Sequence, residues 1–251
     1  TTHGGRTATP IIDGDLVIVS AAVSNWGTQS NRSHRLIAFD KRTGDIVYVA
    51  NPGGRPYDTA YAAPFIGTIN GERLLINGLG DGGVHAIKPQ TGEKVWSFVA
   101  AKRAINTGVV AKGNMVFVSH GDENLEGSEL GLLAAIDGSQ TGAIKATQWA
   151  VKGEQFGFSS PVLDGDRVYE LTNDSLLVAH DVGSGKRLWS KELGTLQKNN
   201  IRFHVIGRPE ALAPDVQHEL QIGVEQTSRN TGMLFNIALN YGGRAEDRKS
   251  T

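Results

Sequence analysis

The sequence contains no cysteine, which excludes disulfide frameworks, thiolate metal centres and cysteine nucleophiles. It also has no surplus of one charge, since 25 basic against 26 acidic residues leave a net charge of −1. A general nucleic-acid or membrane-surface binder needs a broad field of one sign, so nucleic acid is not an expected partner. No apolar run approaches the roughly 18–20 residues that span a bilayer, and no transmembrane segment is expected. The chain opens at Thr1 with neither a methionine nor a signal-type segment, so a natural start upstream is expected. Glycine, by contrast, is abundant, at 32 of 251 residues, where about 7 per cent is usual. With 39% apolar residues the chain is globular and rich in tight turns.

The turns recur in order. Four segments share one grammar: a short apolar strand, an X-Gly turn and a second apolar strand, then a third strand, a Thr-Gly or Ser-Gly turn, and a fourth strand carrying an aromatic. The X-Gly pairs are Asp13-Gly14, Asn70-Gly71, Lys112-Gly113 and Asp164-Gly165. Both positions of such a pair can take positive φ, which suits two-residue hairpins. The later glycines 44, 92, 142 and 185 lie 48, 50 and 43 residues apart. Tyr48, Trp96 and Trp189 each follow their glycine by four residues, whereas Trp149 follows Gly142 by seven. A four-stranded meander repeated every ~45 residues stacks radially as β-propeller blades. The predicted fold class is therefore mainly β: a partial propeller of about four four-stranded antiparallel blades over residues 1–194. Aromatics recurring at one register are expected to pack blade on blade.

The pattern of an apolar pair with D-G-D, then L-x-A-x-D-x-x-T-G-x-x-x-W, resembles the pyrroloquinoline-quinone-type propeller repeat. That repeat occurs in quinoprotein dehydrogenases and in the scaffold lipoprotein of the outer-membrane barrel-assembly machinery. The resemblance implies a periplasmic or exported protein, and four blades imply an incomplete ring. Dehydrogenase activity in that family also implies a calcium ion, an aspartate base, a tryptophan under the quinone and often a cysteine pair. No cysteine is present and no matched motif supplies the calcium ligands. No cofactor is therefore expected in this chain, and pyrroloquinoline quinone with calcium would belong to an active full-length parent.

Beyond about Gly194 the texture changes. Ile201 to Gly207 reads as a strand. Pro214 and Asp215 suit a first helical turn, Val216, Leu220 and Val224 repeat on one face, and Asn230 and Gly232 suit the stop. Met233 to Leu239 is nearly continuously apolar, as expected of a parallel strand buried on both faces. The tail, residues 195–251, is thus predicted to be a strand–helix–strand α/β fragment. N-N-I-R-F-x-V-I-G and N-T-G-M-L-F-N-I-A-L-N-Y-G-G-R-A-E resemble the middle of undecaprenyl diphosphate synthase, a cis-prenyltransferase. That resemblance implies a cytoplasmic enzyme using magnesium, with Asn240, Tyr241, Gly242, Gly243 and Arg244 near its substrate cleft. The family's N-terminal D-G-N-G-R-W loop and its later arginine-serine segment, which handle the diphosphates, have no match here. The tail is expected to be inactive. Two families of different compartments meeting over E-L-G without a linker suggest a chimeric or fragmentary chain.

Loops supply the remaining candidates. The segment His120, Gly121, Asp122, Glu123, Asn124, Glu126 and Glu129 could hold a hard cation through Asp122, Glu123 and Glu126, or be a solvated acidic loop. Arg55, Tyr57, Asp58 and Tyr61 suit either the channel or an ordinary inter-blade connection, and Trp26 lies off register in its own loop. His85 and His180 alternate with apolar residues and are assigned structural roles. The expected function is non-catalytic binding or scaffolding of an unknown protein or small-molecule ligand. A quinone-dependent oxidoreductase fragment is the alternative, and isoprenyl transfer by the tail a second. Open blade faces are expected to promote self-association.

Overall fold

The computed structural model describes residues 9–22, 34–193, 200–207 and 209–239. The chain divides into two compact units, residues 1–191 and 192–251. In the first unit the four repeat copies form four meanders. The first comprises β1 (Ile11–Asp13), β2 (Leu16–Ala22), β3 (His34–Asp40) and β4 (Ile46–Ala50), paired antiparallel in that order. The second comprises β5 (Phe65–Ile69), β6 (Glu72–Gly78), β7 (Gly83–Ile87) and β8 (Lys94–Val99). The third has β9 (Val110–Lys112), β10 (Met115–Glu123) and β11 (Leu130–Asp137), followed by β12 (Gly142–Ile144) and β13 (Trp149–Lys152). The fourth is β14 (Val162–Asp164), β15 (Arg167–Leu171), β16 (Leu176–Asp181) and β17 (Arg187–Glu192).

The hairpin turns differ from expectation in three of the copies. Asn70 and Gly71 both take positive φ, 49° and 78°, and together fill the loop between Ile69 and Glu72. In the first, third and fourth copies the loops are Gly14-Asp15, Gly113-Asn114 and Gly165-Asp166, with positive φ at the glycine alone. That is the pattern of a type II′ turn, not I′. The residue before the glycine stays in the strand; Asp13, for one, is buried there and receives Arg73 Nε at 2.6 Å and Gln90 Nε2 at 2.6 Å.

The third blade departs from pure antiparallel pairing. After Gly142 the chain does not turn back on β11. Instead β12 crosses to the second blade and pairs parallel with β8, Gly142 opposite Trp96 and Ile144 opposite Phe98. Only β13 returns to β11, with Trp149 opposite Ala135. The three extra residues before Trp149 are the length of this detour.

Between blades, apolar side chains fill each seam. Ile18 and Leu36 meet Leu75 and Ile87, then Ile76 and Trp96 meet Val118 and Ile136, and Phe117 and Leu133 meet Val168 and Val178. Two seams share one docking device. The Tyr48 ring covers Gly92, where an added Cβ would lie 2.6 Å from the ring, and the Tyr48 hydroxyl donates to Pro89 O at 2.7 Å. Likewise Trp149 covers Gly185, and its Nε1 donates to Val182 O at 2.9 Å. Both glycines have positive φ, so each is held by conformation as well as by space. Trp96 is fully buried, but β12 has drawn the matching turn away, and its Nε1 has no protein partner among the described residues. Trp189 lies on the outer face of the last blade, 39% exposed, against Tyr169 at a ring separation of 5.8 Å.

The second unit pairs β18 (Arg202–Gly207) parallel with β19 (Leu234–Leu239), joined through α1 (Pro214–Thr227). Thr227 ties the helix down: its Oγ1 donates to Gly223 O and accepts the Phe203 N–H at 2.9 Å. Gly223 lies against the Phe203 ring. The helix face differs by a turn from the predicted stripe, since Val216 is exposed. β19 is parallel, as its composition predicts, but it is not buried on both faces, and Phe235 is 44% exposed. One helix against two strands covers one sheet face at most. Among the described residues no helix is long and apolar enough to cross a membrane.

Candidate functional site

Antiparallel meanders place the connections between second and third strands, and those between blades, along one edge of the unit. The X-Gly and Thr-Gly turns occupy the opposite edge. The acidic loop and Tyr57 to Tyr61 lie on the connection edge, whereas Trp26 lies outside the described residues.

The first polar cluster there contains a serine and a histidine in contact. Ser20 Oγ lies 2.9 Å from His34 Nε2 and accepts Asn77 Nδ2 at 3.0 Å. The geometry also fixes the tautomer. The Gly80 N–H donates to His34 Nδ1 at 3.1 Å, so Nδ1 is unprotonated and Nε2 carries the hydrogen. His34 therefore donates to the serine and cannot take its proton, the reverse of what an activated nucleophile requires. Burial holds its pKa down to about 4 against the pull of Asp81, so the ring is neutral. Asp81 is committed elsewhere, 3.1 Å from His85 Nε2 and bonded by the Gly54 and Gly83 N–H groups. Burial opposes its charge, but those partners together bring its pKa to about 2. His120 is likewise neutral and structural. Its Nε2 donates to Ala100 O at 3.0 Å, its Nδ1 accepts the Asp122 N–H, and burial lowers its pKa to about 4.

A second cluster fills the seam between the third and fourth blades. The Ser119 hydroxyl donates to Glu170 Oε1, while Glu170 Oε2 is buried with no protein partner among the described residues. Burial pushes the Glu170 carboxyl well above the carboxylate range, and the nearby Glu154 charge adds to this. Glu154 pairs with Arg187 and lies 3.4 Å from His180 Nε2. A raised folded pKa means that Glu170 contributes its stability below the unfolded carboxylate pKa and loses it as pH rises toward the folded value. From about pH 5 upward Glu170 therefore lowers stability by at most about 1.4 kcal/mol per pH unit, which shows as a net fall only above about pH 6.5, where the buried histidines no longer titrate. Glu170→Gln, which stays neutral and can still meet Ser119, should flatten that fall in urea titrations. An unchanged slope would mean that Glu170 is already ionised in the fold.

The third feature is a cleft of about 130 Å³ lined by Ala104, Asn106, His120, Asp122, Phe158 and Asn173 among others. Three inter-blade connections converge on it. Asn106 Oδ1 accepts the Tyr61 N–H at 3.1 Å, Tyr61 meets Phe158 edge-on with centroids 5.7 Å apart, and the Gly108 N–H donates to Ser160 Oγ at 2.8 Å. Asn173 Oδ1 accepts the Gly157 N–H at 3.1 Å. Each asparagine uses its oxygen on the backbone, so the Nδ2 amides are what they offer a ligand. Burial raises the pKa of the Asp122 carboxyl at the floor, against the pull of Arg103. Phe158 is 72% exposed at the rim.

The acidic loop does not form a cation centre. Asp122 faces this cleft, Glu123 pairs with Lys102 at 3.7 Å, and Glu126 lines a separate depression with Lys145 and Lys152. Asn124 Nδ2 bonds the carbonyls of Glu129 and Gly131 and so holds the loop with its carboxylates turned apart. Among the described residues no three His, Asp or Glu side chains converge. Among the described residues no side-chain set fits a quinone-bound calcium ion, and Trp96 and Trp149 are committed to blade seams. Tyr57 and Asp58 behave as an inter-blade connection, both N–H groups donating to Gly80 O. His85 and His180 are buried. Asn240 to Arg244 lie outside the described residues.

Asn106, Phe158 and Asn173 left no periodic trace in the sequence, being loop residues brought together by blade stacking. Glu170 did leave one: it takes the position filled by Val19, Leu75 and Val118 in the other copies, a carboxylate at an apolar register.

Two families are matched by comparison with known proteins. A family profile described as outer membrane protein assembly factor BamB matches residues 80–212, and one described as putative undecaprenyl diphosphate synthase matches residues 175–250. The two overlap over the last two strands of the fourth blade and the start of the tail. Isoprenyl transferase of Geobacter sulfurreducens is 44% identical over 61 residues, which cover 24% of this chain and 25% of that protein. The Streptococcus pyogenes serotype M1 enzyme is 41% identical over 58 residues, 23% of each. Among solved structures, BamB from Moraxella catarrhalis has a TM-score of 0.50 at 21% identity, covering 72% of this chain and 47% of that one. Quinohemoprotein alcohol dehydrogenase from Comamonas testosteroni has a TM-score of 0.54 at 13% identity, covering 72% and 39%. At these identities the structures speak for the fold alone. The chain spans about a quarter of the isoprenyl transferases it matches and under half of either solved propeller. Its tail is similar to prenyltransferases over a short segment, while the propeller profile covers more than half of the chain. By that match, carried on the blades described above, the protein belongs to the family of the outer membrane protein assembly factor BamB.

Proposed function

We propose that the blade unit is a non-catalytic, protein-binding scaffold of an exported protein, and that the tail has no prenyltransferase activity. The partner is of the kind its family's description names, a component or client of outer-membrane protein assembly. The observation that carries this reading is the convergence of three inter-blade connections on the Phe158 cleft. Two asparagine amides and a carboxylate beside exposed Tyr61 and Phe158 suit an extended peptide. Its backbone would meet the amides and its apolar side chains the rings. The buried histidines on this edge support the reading, because His34 and His120 have their Nδ1 lone pairs occupied by backbone N–H groups.

The test is fluorescence anisotropy with a labelled, unfolded outer-membrane β-barrel polypeptide as probe. Saturable binding is expected, weakened at least ~10-fold by Phe158→Asp, the size of a hot-spot loss. Phe158 is so exposed that its unfolding midpoint should not move. Absent binding, or equal binding by the variant, would overturn the proposal. A stoichiometric redox chromophore after adding quinone and calcium would establish an oxidoreductase instead. Polyprenyl product from farnesyl and isopentenyl diphosphates with magnesium would establish an active tail.

A further inference from the structure

One carboxylate on the connection edge is left without a partner. Asp58 pairs with Arg103 at 3.7 Å and Glu123 with Lys102 at 3.7 Å, but among the described residues the Asp122 side chain forms no ion pair or hydrogen bond. A β-bulge sets it there. Between His120 and Glu123, β10 carries one residue more than β11 does between Leu132 and Leu130, so Gly121 and Asp122 leave the alternation of the strand. Bulges re-aim side chains in this way. The Asp122 N–H donates to His120 Nδ1 at 3.2 Å, and a Cβ on Gly121 would lie 2.9 Å from the Gly157 Cα on the next connection. The two glycines thus let the backbones close up and leave the carboxylate in the floor of the Phe158 cleft.

Burial raises the Asp122 pKa, Arg103 pulls it down, and the Asp58 and Glu123 charges add to the rise. A half-buried carboxylate in acidic surroundings costs free energy until a cation reaches it. His120 does not supply that cation, being neutral with both ring nitrogens bonded to the backbone. The size of the cleft limits what does. About 130 Å³ is well under the roughly 300–1,000 Å³ of a small-molecule site, so the cleft takes one side chain and not a whole cofactor. Phe158, 72% exposed, offers ring surface at the rim. A guanidinium is planar, stacks on such a ring and meets a carboxylate with paired N–H groups, whereas an ammonium is a point charge.

We infer that the cleft selects an arginine of the bound peptide, its guanidinium on the Asp122 carboxylate and against the Phe158 ring, with the flanking peptide carbonyls on the Asn106 and Asn173 amides. This selectivity rests on the peptide-binding reading of the cleft. An acidic residue at that position is repelled by Asp122, and an apolar one leaves the carboxylate desolvated and unpaired.

The experiment is fluorescence anisotropy of the full chain with two labelled decapeptides that differ at one central residue flanked by leucines. One carries arginine there and the other citrulline, its uncharged isostere. The arginine peptide should bind saturably and the citrulline peptide at least ~10-fold more weakly, the size of one charge-assisted hydrogen bond. Asp122→Asn should bring the arginine peptide down to the citrulline level and leave the citrulline peptide where it was. Glu123→Gln removes the same charge one residue away, from a group already paired with Lys102, and should keep the preference. Equal binding of the two peptides by the wild-type chain, an undiminished preference in Asp122→Asn, or equal losses in the two variants would overturn the inference. If the unfolded barrel polypeptide binds in a Phe158-dependent manner while the two peptides bind alike or not at all, the selectivity alone falls. If neither polypeptide nor peptides bind, the peptide-binding reading falls with it.

Discussion

Acidification from neutrality to about pH 4 is expected to unfold the blade unit, chiefly through two histidines. Burial holds the pKa values of His34 and His120 at about 4, against 6.5 for a free histidine. A depressed folded pKa means that the stability is complete above 6.5 and is lost as pH falls through 6.5 toward 4, because only the unfolded chain binds the proton. About 2.5 units at about 1.4 kcal/mol each comes to about 3.5 kcal/mol per histidine. Two of them approach the total stability of a typical domain, about 5–15 kcal/mol. Asp81 contributes little in this window, since it is ionised throughout in the fold and an unfolded aspartate takes up its proton only near pH 4. Urea titrations between pH 7 and 4.5, followed by tryptophan fluorescence, should show the midpoint falling steeply below about pH 6. The double variant His34→Gln, His120→Gln keeps a donor for Ser20 and for Ala100 O but takes up no proton. It should be less stable at neutrality and lose the fall on acidification, keeping only the opposite, smaller slope that Glu170 contributes. If both proteins lose stability alike, the proton goes elsewhere and the histidines are already charged in the fold.

Why these histidines sit where they do was only partly legible in the sequence. The blade order was legible because it rests on local signals: glycines at fixed spacing, apolar alternation and an aromatic at constant offset. Even the exception carried information, since the seven-residue offset of Trp149 marks the β12 detour. The detour's destination was not legible, because pairing with β8 depends on a neighbouring blade and not on the residues of β12 itself. His120 illustrates the same limit. Among carboxylates it reads as a possible ligand, but it sits at the buried end of β10, where its ring closes a contact with the Ala100 carbonyl of another connection. Glu126, read with Asp122 as one acidic cluster, lies beyond the Asn124 clamp and faces Lys145 and Lys152. The cleft residues Asn106 and Asn173 are 67 positions apart and meet only because blades stack.

The aromatic–glycine device gives the largest single-site effect expected of this fold. Trp149→Ala removes a ring packed on Gly185 and on Phe117, together with its bond to Val182 O, and should cost about 3–5 kcal/mol. Trp149→Phe keeps much of the packing and loses the hydrogen bond, about 1 kcal/mol plus the missing ring volume. The glycine side separates conformation from contact. Gly44, Gly92, Gly142 and Gly185 all have φ between +69° and +78°, so an alanine at any of them pays the same left-handed backbone penalty of about 1 kcal/mol. Only at Gly92 and Gly185 does the added methyl meet a ring, and overpacking there should add about 1–3 kcal/mol. Urea midpoints measured in dilute solution should therefore fall into two pairs, with Gly92→Ala and Gly185→Ala well below Gly44→Ala and Gly142→Ala. Four equal losses would mean that the glycines are required for turn geometry alone and that the rings yield freely. A Trp149→Ala, Gly185→Ala double variant sharpens the contrast. With the ring gone the methyl has room, so the pair should cost less than the sum of the singles by about the overpacking energy.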